Sequence, residues 1–262
     1  MRVFCFNQSG SRSHQEDAYY IDENNKSIFM ICDGVGGNSG GALASNSTVE
    51  YFIESIGGVL QNESSDGNIL SLYAGAKDNL LEILKDYPSY KGMATTIVIA
   101  WFTFRDVIIS HIGDSRAYVF RTYAKSYWRT KDHSLVQELY DAGIIKSEAD
   151  MQTHPMKNRV TGAITSSTRS EVTDPSITRF DELDPRDIIM LCSDGVLEAF
   201  PNEEFIRILM DETTTFEEKG KTIQMECEQK SIDNNTCIIL QLEDGESYSS
   251  GSNAGIEFRK PE

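Results

Sequence analysis

The apolar positions along the chain fall into two rhythms. Short runs rich in Ile, Val, Phe and Tyr, closed off by Gly, Asp or Asn, predict strands over Ser27 to Cys32, Thr95 to Thr103, Val107 to Ile112, Ala117 to Arg121, Asp187 to Cys192 and Thr236 to Leu242. Between them the helical spacing i, i+3, i+4, i+7 appears at Val49, Phe52, Ile53 and Ile56, and it repeats over a longer stretch through Ile69, Leu72, Tyr73, Ala76, Leu80, Ile83 and Leu84. A third helix is expected from Pro201, with Phe205, Ile208 and Leu209 on one face. This order is neither a repeating βαβ unit nor a plain hairpin series, so the expected class is α+β, with antiparallel sheets and helices packed outside them. No linker or internal repeat divides the chain. Beyond Leu242 it turns polar and Gly/Ser-rich, which predicts one domain over 1–242 and a polar C-terminal surface tail over 243–262.

Composition narrows the function more than the fold. A chain of 262 residues, 39% hydrophobic and 25% charged, can bury its own core and is not a disordered polymer. Its 24 Lys+Arg against 41 Asp+Glu leave a net charge of −17, the wrong sign for nucleic acid. The five cysteines, Cys5, Cys32, Cys192, Cys227 and Cys237, are an odd, scattered set without zinc-ligand spacing, which favours a reduced, intracellular protein. Met1 through Arg12 lacks the pattern of a signal peptide, and no apolar run approaches the ~18 residues of a membrane span. A soluble, cytoplasmic protein without membrane contact is expected.

The acidic residues repay a closer look, because they collect where strands end. Two apolar runs end in the same dipeptide, at Asp33-Gly34 and Asp194-Gly195, while Asp233 stands just before the last strand and Glu16-Asp17 just before Ala18 to Ile21. Turn chemistry accounts for any one of these. Four together suggest carboxylates gathered at a sheet edge, whose all-oxygen donor set selects Mg2+ or Mn2+ over zinc. On an extended chain the even spacing sets Arg12 on the face of Glu16, where it serves either as a salt bridge or as a bidentate phosphate clamp. The glycine-rich stretch Gly34 to Gly41 matches neither a P-loop nor G-x-G-x-x-G, and reads as a flexible turn into a helix beginning near Ala42. No cysteine is followed six positions later by arginine, so a thiol-phosphate mechanism lacks its anion loop. The histidines form no ligand pairs on a helix; His111 reads as packed or hydrogen-bonded and His154 as a loop residue.

Six ordered motifs then carry a resemblance: Arg12-Ser-His-Gln-Glu-Asp17, Asp33-Gly-Val-Gly-Gly37, Gly92-Met-Ala-Thr-Thr96, Gly113-Asp-Ser-Arg116, Asp132-His-Ser134, and Ser193-Asp-Gly195 with Asp233-Asn234. From about Val3 to Leu242 the chain resembles the metal-dependent protein serine/threonine phosphatases of the PPM or type 2C family, in its bacterial stand-alone form. The resemblance implies a central antiparallel β-sandwich flanked by helices on both sides, with a binuclear Mn2+ or Mg2+ centre at one end. Carried over by position, Asp33 bridges two metals, the Gly34 carbonyl ligates one, Asp194 and Asp233 complete the other, and Glu16 and Asp17 act directly or through water. Arg12 binds the substrate phosphate, and Asp114 joins Asp194 around a weaker third metal. His154 to Ala163 matches a region where substrate choice is often set. A metal-activated water attacks phosphorus in line, and the implied substrates are phosphoserine and phosphothreonine proteins, those of a cognate kinase, met by a monomer. Two departures bear on the leaving-group proton: Val35 and Asn38 stand where relatives carry histidine, which leaves water on the metal as the default donor. The alternatives are a phosphatase-fold protein of weak or no activity that binds phosphoproteins as a regulatory partner, and an acidic divalent-ion buffer, which leaves Arg12 unexplained.

Overall fold

The computed structural model describes residues 1–35, 40–60, 65–167, 174–200, 203–243, 248–249 and 256–261. Two antiparallel sheets face each other. One runs β1 (Arg2–Gln8), β13 (Asn235–Gln241), β12 (Ile188–Cys192), β7 (Arg116–Arg121), β8 (Ser126–Arg129). The other runs β10 (Ser176–Phe180), β6 (Val107–Ile112), β5 (Ile97–Phe102), β3 (Ile28–Val35), β4 (Ala94–Thr95), β9 (Ile164–Thr165), with β2 (Asp17–Ile21) added against β3. A short pair, β11 (Glu182–Leu183) with β14 (Tyr248–Ser249), stands apart.

The central strands, β5, β6 and β12 above all, are buried on both faces, and their period of two sorts side chains into separate layers. Phe29, Ile31, Val98 and Ala100 meet Val119, Leu191, Ile238 and Leu240 between the sheets. Their neighbours Met30, Cys32, Ile97 and Ile99 point outward to α1 (Gly40–Leu60) and α2 (Asp66–Asp86), through Phe52, Ile69, Tyr73 and Leu80. On the opposite outer face Tyr118, Met190 and Ile239 meet Val196, Phe205, Ile223 and Cys227. The helices there are α5 (Asp194–Ala199), α6 (Phe205–Met210) and α7 (Phe216–Lys230). Each fully buried aliphatic or aromatic side chain stabilises the fold by roughly 1.5–3 kcal/mol. The expected sandwich between helical layers is therefore what the alternation builds.

The differences from expectation are local. The strand expected over Ser27 to Cys32 continues to Val35, because Gly34 pairs with Thr95 instead of turning. The helix expected near Ala42 begins at Gly40, and the loop before it, 36–39, lies outside the described residues. The third helix begins at Phe205, with Phe205, Ile206 and Leu209 buried; Pro201 also lies outside. The stretch read as a polar surface tail returns to the body. Ile256 and Phe258 pack on the core between the sheets, and Arg259 bridges to Tyr127 at the β8 edge. Two apolar side chains in a polar stretch suffice for that, and average composition hides them.

Candidate active site

At one end of the sandwich, five separate elements deliver acidic side chains to a cavity of about 410 Å³, lined by Glu16, Asp33, Asp114, Asp194 and Asp233 together with Arg12, His14, Val35, Asn158 and Val160. Asp17 stands behind them, directly opposite Asp33 across the β2–β3 pair.

The backbone under each acid is fixed by the residues that make up the motifs. Asp33 is held on both sides: its N–H donates to Thr96 Oγ1 (3.1 Å), and its carbonyl accepts from Thr96 N (2.8 Å) and Thr95 Oγ1 (2.9 Å). Gly34 must lack a side chain, since a Cβ there would run into the carbonyls of Gly41 and Glu16 as α1 begins. Gly113 takes φ of +110° and turns Asp114 toward the site, while Ser115 bonds Thr96 (2.7 Å) and Arg116 reaches away to Asp132. His133 Nδ1 accepts the Gly113 N–H at 3.4 Å and its ring lies 4.7 Å from that of His111, whose Nε2 bonds the Lys131 carbonyl. His111 is thus a packed, hydrogen-bonded residue, and burial pushes its pKa down to about 4.

Asn234 and the hydroxyls of Ser193 and Thr236 were given no separate role by the sequence. Asn234 accepts from Glu16 N (2.8 Å) and donates to the carbonyls of Ser9 and His14 (both 3.0 Å), so one buried amide staples the segment from Arg12 to Glu16 onto the start of β13. Ser193 Oγ (2.8 Å) and Thr236 Oγ1 (2.7 Å) both donate to Asp17 Oδ2. The identities of Ser193 and Asn234 inside their motifs were the available signal.

Arg12 does not sit on an extended chain, because its N–H closes a turn on the Ser9 carbonyl and residues 9–16 form no strand. The shared face with Glu16 therefore disappears. Its guanidinium instead pairs with Asp233 Oδ2 at 2.7 Å, at the mouth of the cavity and 58% exposed.

Electrostatically the cluster is unfinished. Burial, followed by the charges of its acidic neighbours, raises the pKa of Asp17 to about 7, of Asp194 to about 6 and of Asp114 to about 8, and holds Asp33 well above the carboxylate range. At Asp33 burial comes first, then the charges of Asp194, Asp17 and Asp114. Among the described residues, no three acid, histidine or thiol groups stand ready in metal-holding geometry, and Asp233 is engaged by Arg12. The residues nevertheless fit a hard cation: the donors are all oxygen, they repel one another, and Asp17 Oδ1 is buried with no hydrogen-bond partner.

At this end of the β-sandwich clustered carboxylates stand beside an arginine, an oxygen-donor set suited to hard cations next to a group suited to phosphate. The profile of the protein phosphatase 2C family matches residues 8–228, and the chain belongs to that family. The serine/threonine phosphatase stp of Listeria monocytogenes is 29% identical over 235 residues, covering 88% of this chain and 91% of its own. A crystal structure of a bacterial serine phosphatase superposes with a TM-score of 0.80 at 27% identity, over 94% of this chain and 99% of that one. The catalytic domain of the phosphatase PstP, solved with two manganese ions, shares the fold at a TM-score of 0.75 and 23% identity, over 93% and 98% of the two chains.

Proposed function

We propose that residues 1–242 form the catalytic domain of a protein serine/threonine phosphatase that hydrolyses phosphoserine and phosphothreonine in proteins at a centre of two divalent cations, Mn2+ or Mg2+, with a weaker third. The observation that carries this reading is the convergence of Glu16, Asp33, Asp114, Asp194 and Asp233 with Arg12 on one cavity.

Asp33, the Gly34 carbonyl, Asp194 and Asp233 are the residues that would hold the pair of ions, with Glu16 and Asp17 beside them and Asp114 with Asp194 for the third. When bound, such ions supply Lewis-acid charge and acidify water at neutral pH. The manganese in PstP supports this choice of ion. Ser193 and Thr236 fix one oxygen of Asp17 and leave the other buried without a hydrogen-bond partner. Asn234 sets the position of Glu16 and of the turn that carries Arg12. A phosphate dianion competes with Asp233 for the exposed Arg12 guanidinium, whose planar fork matches two phosphate oxygens. Val35 is 40% exposed on the cavity wall and has no proton to give the leaving oxygen, while Asn38 lies outside the described residues.

The substrates read best as phosphoproteins made by a cognate kinase and met by a monomer in the cytoplasm. Among the described residues no helix is long and apolar enough to cross a membrane. The test is hydrolysis of p-nitrophenyl phosphate and a phosphothreonine peptide with Mn2+, with Mg2+ and with excess chelator. Turnover should require the cation, and full turnover in chelator would remove the proposed centre.

A further inference from the structure

Helices α3 (Leu135–Asp141) and α4 (Glu148–Thr153) are anchored unlike the other helices. Val136, Leu139 and Tyr140 of α3 and Met151 of α4, with Ile145 from the loop between them, make a small cluster separate from the three that bind the layers together. Hydrophobic burial therefore does little to fix this subdomain on the sandwich. Yet the stretch following α4 contributes Asn158 and Val160 to the wall of the active-site cavity. Backbone bonds hold the far end of that wall: Ser134 bridges Val160, Leu135 N–H donates to the Arg159 carbonyl (2.9 Å), and the His133 backbone accepts from Thr161 N–H and donates to the Gly113 carbonyl (both 2.8 Å). The α4 end is left to be fixed by other interactions.

At the α4 end the charged attachments meet on Glu148, the first residue of α4. One carboxylate oxygen lies 3.3 Å from Arg129 Nη2 on β8, and the other accepts from Arg259 Nη1 at 2.6 Å. Arg129 belongs to the rigid body, its side chain only 4% exposed. Arg259 belongs to the C-terminal segment, which is itself well tied down. Its N–H donates to the Tyr127 carbonyl (2.6 Å) and its carbonyl accepts from Tyr127 N (2.8 Å), so the segment pairs with the β8 edge. The Phe258 ring packs 6.3 Å from that of Phe180 under the Arg121 guanidinium, and Ile256 joins the same core. An isolated half-exposed ion pair contributes about 0–1 kcal/mol, because two long side chains must be immobilised. Here the backbone bridge and the half-buried ring next to Arg259 have already ordered one partner. The segment lies beyond the part of the chain that the family profile matches, 8–228.

We propose that residues 256–261 act as a strap that positions the α3–α4 subdomain, and with it the Asn158–Val160 wall, through the Arg259–Glu148 pair. Arg259 and Glu148 are then positioning residues for a peptide substrate long enough to touch that wall. The kinetic consequence rests on the phosphatase reading, whereas the mechanical one does not.

Hydrogen exchange and steady-state kinetics on full-length wild type, Arg259→Ala, Arg259→Lys and Phe258→Ala test both. In Arg259→Ala and Phe258→Ala, amides over 135–160 should exchange roughly tenfold faster while those of β5 and β12 keep their protection. KM for a phosphothreonine peptide should rise about threefold or more, with kcat and the kinetics on p-nitrophenyl phosphate unchanged, and Arg259→Lys should recover part of the loss. Unchanged exchange over 135–160 in Arg259→Ala, protection lost equally from β5 and β12, or an unchanged peptide KM in an active enzyme overturns the strap. If wild type hydrolyses neither substrate, the phosphatase reading fails and the exchange data alone decide the mechanical claim.

Discussion

From Gly113 to Arg116 the chain serves two clusters of charge built on opposite rules. Asp114 faces Asp33 and Asp194, acids among acids, and every carboxyl in that group whose pKa moves is pushed upward, first by burial and then by its neighbours. Two residues on, Arg116 makes paired 2.7 Å bonds to Asp132 and a 2.8 Å bond to Glu203, which also accepts from Tyr118 OH. Arg129 lies 3.3 Å from both Glu203 and Glu148, so charges alternate in sign along the chain of contacts. Burial alone would raise the carboxyls of Asp132 and Glu148, but the arginines outweigh it and both are held below their ordinary value. One cluster is balanced from within and the other waits for charge from outside. Both places gather carboxylates, and the placement of Arg116 and Arg129, with Arg259 at Glu148, makes the difference.

The largest way to disturb this contrast is to remove the acid at the centre of the unbalanced group. Asp33→Asn should lower kcat/KM by on the order of 10³-fold or more. The same change should leave the thermal midpoint of chelator-treated protein at or above wild type, because a repelling carboxyl is gone. Phosphopeptide kinetics and melting curves read the two effects; near wild-type turnover would move the centre elsewhere.

In the balanced group, Arg116→Ala strands Asp132 and Glu203 in a buried place and should cost about 3–5 kcal/mol in urea unfolding. A loss below about 1 kcal/mol would mean that solvent reaches those carboxylates.

Arg12 bridges the two regimes, being a cation that touches the acidic group. Arg12→Ala should cost a few kcal/mol in phosphopeptide kcat/KM, at about 1.4 kcal/mol per tenfold, with Mn2+ affinity by calorimetry nearly intact; Arg12→Lys should recover part. Unchanged kcat/KM with weakened Mn2+ binding would reduce Arg12 to a partner of Asp233.

The smallest effect concerns pH. Because Asp17, Asp194 and Asp114 titrate higher in the fold than when unfolded, the folded protein binds more protons between pH 3.8 and about 8, and stability falls as pH rises through that window. The lowered Asp132 and Glu148 act oppositely, giving stability that is present above the ordinary carboxylate pKa and lost only as pH falls below it. In chelator the melting midpoint should therefore drop between pH 5 and pH 8, by about 2–4 °C for each kcal/mol, and Mn2+ should flatten the slope. A midpoint that climbs with pH in chelator would contradict the assignment of the acidic group.

Much of the fold was legible because strands buried on both faces write themselves as apolar runs; Val107 to Ile112 was found to the residue. β1 was missed because Asn7 and Gln8 dilute its pattern, and α7 because Lys219 and Gly220 interrupt a sparse stripe, although Thr215 and Glu218 spell a capping box. At the site, the acids that line the cavity were legible from chemistry at strand ends and from the resemblance. The Arg12–Asp233 pair was not, because 221 residues separate the partners and spacing argues only about neighbours. Ser193, Thr236 and Asn234 were hidden for a related reason: each works by a hydrogen bond across the fold, which leaves no periodic trace.

The pairing of β1 with β13 places the beginning of the chain against residues more than 220 positions later, and the Asn234 staple fastens the Arg12 turn to the same late strand. On the ribosome, at about 5–20 residues per second, the first strand waits on the order of ten to fifty seconds for its partner to be made. During that interval the turn that carries Arg12 has nothing to fasten to, and Asp233 is not yet part of the chain. Until Thr236 has been made, the cavity lacks Asp233 and the turn lacks its staple, so the site described here is completed only by the last tenth or so of the chain.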